Sequence, residues 1–185
     1  MDWIEEVKIR IKRKNEILFS LNSEFLQALN DLLKKQSHIA VTEWAIQLAQ
    51  ETVDLLSDKY PELKIPALAV NAAKEWSVGK IKMREAQRKI LDCHAAAKAE
   101  TDKADKPMFQ AVGQACAVVH SVKHAMGYPV YDLTSIVIKY GEENCRLYVE
   151  NRKKHYIETL LSGKNAYKNP EDKWADFMLK CLKYI

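Results

Sequence analysis

The sequence predicts an all-α fold: a compact orthogonal bundle of about seven to nine helices around a buried central helix near 107–126. Three observations carry that reading. Glycine and proline number five each in 185 residues, too few for the many tight turns of a sandwich or barrel. Hydrophobic residues make up 48% of the chain and charged residues 29%, which suits a buried core under a soluble surface. Apolar residues also recur at helical spacing. The length fits a single all-helical domain over 1–185.

Taken in order, the helices fall at about 2–14, 23–36, 39–58, 66–78, 82–102, 107–126, 130–140, 142–162 and 171–183. The first ends in the alternating run Ile9 to Lys14, read as a solvated helix face. Ser23 is a start signal for the second. In the third, Val41, Trp44, Ala45, Leu48, Thr52, Leu55 and Leu56 share one face. Glu43, Gln47, Gln50, Glu51, Asp54 and Asp58 take the other. Pro66 opens the fourth and Gly79 follows it. The fifth sets Met83, Ile90 and His94 against Glu85, Arg88, Lys89 and Asp92. A polar loop from Thr101 leads to Pro107, which opens the sixth, and Gly127 is read as its stop. Pro129 and Gly141 bracket the seventh, and Gly163 closes the eighth. Pro170 and Glu171 or Asp172 start the ninth, with Trp174, Phe177, Met178 and Cys181 on one stripe. Fourteen alanines between Ala67 and Ala125 favour helix and let axes approach closely.

Charge and cysteine usage narrow the function classes. The net charge of +4 is spread thinly, whereas nucleic-acid binders concentrate basic charge on one face. No nucleic-acid partner is therefore expected. The longest stretch without a formal charge, Pro107 to Val122, is sixteen residues and includes polar side chains, so no membrane partner is expected either. Asp2, Glu5, Glu6 and Lys8 interrupt any secretory leader. Cys93, Cys116, Cys145 and Cys181 form no C-x-x-C pair and read as reduced thiols, which points to the cytoplasm.

The sixth helix carries the candidate site. Its apolar residues cover most of its circumference, as in a buried helix. The remaining sector holds Gln110, Gly113, Gln114, His120, Ser121 and His124, polar but uncharged. Gly113 costs helix stability, about 1 kcal/mol relative to Ala, and suggests close approach by a helix or ligand. His120 and His124 stand four apart and His94 lies on the apolar face of its own helix, so the three are expected to converge. Such a cluster is either a hydrogen-bonded structural network or, as the alternative, a metal site of His94, His120 and His124. The H-E-x-x-H pattern is missing, no cofactor is expected, and Cys93 beside His94 is not a nucleophile pair because neighbouring helical residues diverge. Trp44 and Trp76 read as packing aromatics.

Three segments carry a family resemblance: Glu43-Trp44-Ala45; Ala72-Ala73-Lys74-Glu75-Trp76 with Gly79 and Cys93-His94-Ala95-Ala96-Ala97; and Ala111-Val112-Gly113-Gln114-Ala115-Cys116-Ala117 leading to His120 and His124-Ala125-Met126-Gly127. In this order they resemble the immunity-protein-five-like group of bacterial immunity proteins over about 38–140. The resemblance implies a small helical bundle, associated with polymorphic toxins, whose partner is a protein toxin. Gln114 stands where the group often carries a His, a departure that favours a binding or structural role over chemistry. The expected function is thus non-enzymatic: an immunity protein that neutralises a toxin by stoichiometric binding. The alternatives are a metal-dependent enzyme using the His cluster and a helical nucleic-acid-associated regulator using residues 8–14 and the basic C-terminal part.

Overall fold

The computed structural model describes residues 2–163 and 171–180. The order is α1 (Trp3–Lys12), a 3-10 turn (Glu24–Leu26), α2 (Gln27–Leu33), α3 (His38–Lys59), α4 (Ile65–Ser77), α5 (Met83–Ala99), α6 (Asp105–Ala117), a second 3-10 turn (Val122–His124), α7 (Gly127–Tyr140), α8 (Arg146–Ser162) and α9 (Asp176–Leu179). The fold is all-α, and no strand occurs among the described residues. No described helix is long and apolar enough to cross a membrane.

Local chemistry sets the ends. The Asp2 carboxylate accepts from the Ile4 N–H and the Ser37 hydroxyl from the Ala40 N–H, so α1 and α3 begin on side-chain caps. Gly163 closes α8 in the left-handed region at φ 58°, and Gly141 closes α7 at φ 77°, where a Cβ would be strained. The ninth helix is shorter than expected: residues 172–175 are irregular and α9 starts at Asp176. The expected start at Pro170 and the stripe residue Cys181 lie outside the described residues.

α6 packs against α7, α5, α3 and α4, which explains its lack of a charged face. Phe109, Ala111, Val112, Ala115 and Cys116 are buried, as are Val118, Val119 and Val122 beyond it. α3 is equally central and meets α4, α6, α8 and α9. Its buried surface therefore extends past the stripe read from the sequence. Glu43 is buried, whereas Leu55, placed on the apolar face, is 61% exposed.

The expected helix over 107–126 is not continuous. It ends at Ala117, after which Val118, Val119 and His120 take 3-10 bonds to Ala115, Cys116 and Ala117. The cause is tertiary. His38, buried at the start of α3, places Nε2 2.8 Å from the Val118 carbonyl oxygen and donates to it. Ser121 is then extended, and its hydroxyl accepts from the Lys123 N–H to start the Val122–His124 turn. Gly127 is also not a stop: it is the first residue of α7.

Candidate functional site

Four elements meet at one partly open face. α5 supplies His94, and α6 supplies Gln110, Gly113 and Gln114. The turn after α6 supplies His120 and His124, and α4 supplies Trp76. His94 Nδ1 lies 2.5 Å from Gln110 Oε1, and His124 Nδ1 lies 3.0 Å from Gln114 Oε1. A carboxamide oxygen only accepts, so each ring carries a hydrogen on Nδ1, and in a neutral ring Nε2 is then the acceptor. His120 is exposed and stacks on buried Trp76, with centroids 6.2 Å apart and planes 18° from parallel. Phe177 covers another side of Trp76 at 5.5 Å.

Two glycines make room for these side chains. A Cβ on Gly113 would fall 2.5 Å from Cε1 and 2.6 Å from Nε2 of His94. One on Gly127 would fall 2.7 Å from Oε1 and 2.8 Å from Cγ of Gln114. All four distances are below van der Waals contact, so the His94 ring and the Gln114 chain occupy the space of the absent side chains. This gives a direct test. In an unobstructed helix, Gly113→Ala would gain about 0.5–1 kcal/mol. Here the methyl meets the ring, and the expected net result is a loss of roughly 1–3 kcal/mol in thermal unfolding. In a His94→Ala background the same substitution should turn stabilising. A stabilising Gly113→Ala in the native background would refute the close fit.

Electrostatics follow from burial. His124 is half-buried, and desolvation, then His120 and then His94, lower its pKa and favour the neutral ring at pH 7. That mutual influence brings the three imidazoles into one electrostatic neighbourhood. Cys116 does not join them: it is fully buried, and its thiol pKa is pushed well up by desolvation, then by Cys93. Burial pushes the Cys93 thiol to about 12, and its Sγ–H lies 3.4 Å from the Phe109 carbonyl oxygen. Neither thiol supplies thiolate at neutral pH. Among the described residues, no group of three or more His, Cys, Asp or Glu is arranged to hold a metal ion. Trp44 lies apart in the core, 2% exposed, with Nε1 donating to the Tyr156 carbonyl at 2.9 Å.

A second polar cluster escaped the sequence reading. Arg152 on α8 donates from Nε to Asp132 on α7, from Nη1 to Glu51 on α3 and from Nη2 to the Tyr128 hydroxyl, each at 2.7 Å. Tyr156 Oη donates to Asp132 at 2.5 Å, and His155 Nε2 lies 2.9 Å from Glu51. Burial is the largest single influence and opposes the charge on Arg152, but Asp132, Tyr128 and Tyr156 together outweigh it, and the guanidinium pKa moves up. The available signal was Asp132, the only charged residue of α7 before Lys139, four residues after Tyr128. Arg152 and Tyr156 have the same spacing on α8.

The family model described as Imm-5 like putative immunity protein matches residues 31–159, which include both clusters. The chain belongs to that family. The match is wider than the 38–140 span read from the sequence, and it takes in Arg152, His155 and Tyr156. It leaves α1 and α9 outside. No curated protein and no solved structure matches the chain.

Proposed function

We propose that this immunity-family protein neutralises a cognate toxin by stoichiometric binding to it and turns over no substrate. Membership of the family across 31–159 carries the reading. The chemistry of the site supports it. A catalytic imidazole is made a stronger base by a carboxylate that stabilises its charged form. His94 and His124 are instead held by neutral carboxamides, and burial disfavours charge on His124. The Cys93 and Cys116 thiols are buried and protonated, and the Tyr128 and Tyr156 hydroxyls are pushed up by desolvation and engaged inside the core. What remains at the surface is a held, largely uncharged face suited to recognition. A tight complex would bury about 800 Å² on each partner around a few anchors.

Co-expression with the toxin encoded beside the gene is the test. Growth should be rescued, the two proteins should co-elute from a sizing column, and toxin inhibition should saturate at a fixed ratio of chains. Absence of both rescue and complex removes the reading. Complete inactivation of toxin by a small substoichiometric amount would show turnover instead.

A further inference from the structure

We propose that the outward face of α5, where Arg84, Arg88 and Lys98 flank exposed Leu91, docks an acidic surface of the cognate toxin. The inference rests on the immunity reading and adds the surface and the charge of its partner. Along α5, Ala86, Ile90, Cys93 and Ala97 form the buried stripe, and the helix packs on α4 and α6. Arg84, Arg88, Leu91, Ala95 and Lys98 repeat the same spacing about half a turn away, and all five are exposed. Leu91 is 58% exposed. Half-buried His94 stands between the two stripes, so the charged face adjoins the one that carries the three imidazoles.

Charge singles this helix out. Residues 80–98 hold six Lys or Arg against two acids, a net +4 that equals the net charge of the whole chain. The charge that looks thinly spread over long stretches is thus concentrated at the scale of one helix. Lys8, Lys34 and Arg146 each pair with an acid three or four positions away. Arg84, Arg88 and Lys98 make no ion pair among the described residues. Arg84 and Arg88 stand four apart, where like charges repel and weaken a helix. Acidic side chains from a partner relieve that repulsion, and each guanidinium fork matches a carboxylate at two points. The face has the anatomy of a protein interface, with an apolar middle of Leu91 and Ala95 and charge around it. That middle, and Glu85 and Asp92 on the same helix, suit a phosphate backbone poorly. Family membership makes the protein partner the toxin.

The experiment measures the association rate and affinity of the purified toxin for the full chain from about 50 to about 500 mM salt. The native association rate should fall by about tenfold or more across that range. The double variant Arg84→Glu, Arg88→Glu reverses two exposed charges and keeps good helix formers, so its circular dichroism and Tm should match the native protein. It should bind about a hundredfold more weakly at low salt, with a flattened salt dependence. Leu91→Ala should weaken binding about tenfold. As a control, Lys8→Glu with Lys12→Glu makes the same change of net charge on α1 and should alter affinity by less than about threefold. Native-like binding by both α5 variants overturns the docking surface, while the complex itself keeps the immunity reading. Equal losses from the α1 and α5 reversals overturn the placement. A native association rate that ignores salt overturns the acidic partner. If the chain alone binds duplex DNA or self-associates on a sizing column, and the α5 reversal abolishes this, the face has another occupant and the proposal falls. No complex with native protein removes the immunity reading, and the docking surface with it.

Discussion

Replacing Arg152 with alanine is expected to destabilise the protein by about 3–5 kcal/mol, the range for breaking a buried ion pair by removing one partner. For a chain of this size that lowers Tm by on the order of 10 °C. Among the described residues, the guanidinium alone touches Asp132, Glu51 and the Tyr128 hydroxyl together, and those three reach it from α7, α3 and α7 again. Without it, Asp132, 6% exposed, keeps the Tyr156 hydroxyl alone as a side-chain hydrogen-bond partner among the described residues. A buried carboxylate with so little compensation is costly. Arg152→Lys should recover only part of the loss, because one ammonium cannot reach three acceptors in the fork geometry of a guanidinium. Replacing Arg152 and Asp132 together by leucine should cost less than Arg152→Ala alone, since the buried Asp132 carboxylate is then not stranded and part-exposed Glu51 keeps His155. Urea unfolding of the three variants checks the order. A loss below about 1 kcal/mol for Arg152→Ala would mean that solvent already screens the cluster.

The same cluster shows what sequence reading reaches and what it does not. Helix ends at Gly141 and Gly163 were legible because a left-handed residue leaves a local signature. The break after Ala117 was not. Apolar spacing continues through Val118, Val119 and Val122, and the event that stops the helix is the His38 side chain, eighty positions away, capturing the Val118 carbonyl. Gly127 misled for a related reason. It opens α7 and lies under Gln114, so its role is steric and not a matter of φ. Gly113 was legible as a site of close approach, but the approaching group, the His94 ring, required the packing of α5 on α6. His120 and His124 reach the face through a turn and not from one helix side, so the spacing argument placed them by a route the chain does not take. Arg152 stayed hidden because its partners sit 20, 24 and 101 positions away, and no periodicity links such residues.

Trp44→Ala should be the most damaging substitution in the apolar core, with a loss of about 3–5 kcal/mol. Trp44 is 2% exposed on α3, and its indole packs edge-on to Tyr156 at 6.5 Å and 82°. Tyr156 packs edge-on to Tyr128 at 6.1 Å and 81°. The indole N–H also donates to the Tyr156 carbonyl, so one side chain ties α3 to α8 through both packing and a hydrogen bond. Truncation removes the apolar burial and leaves a cavity that the surrounding helices fill only in part. It also loosens the ring whose hydroxyl donates to Asp132, so the polar cluster is weakened from its apolar side. Trp44→Phe separates the two contributions. It keeps a ring, loses the N–H donor, and should cost about 1–2 kcal/mol. Because Trp44 and Tyr156 touch, Trp44→Ala combined with Tyr156→Phe should fall short of the sum of the single losses by more than about 0.5 kcal/mol. Unfolding midpoints in urea, with the slope of each transition checked against the native protein, decide it. Strict additivity would mean that the ring pair and the Tyr156–Asp132 hydrogen bond act independently, and the proposed support of the Arg152 cluster by Trp44 would be wrong.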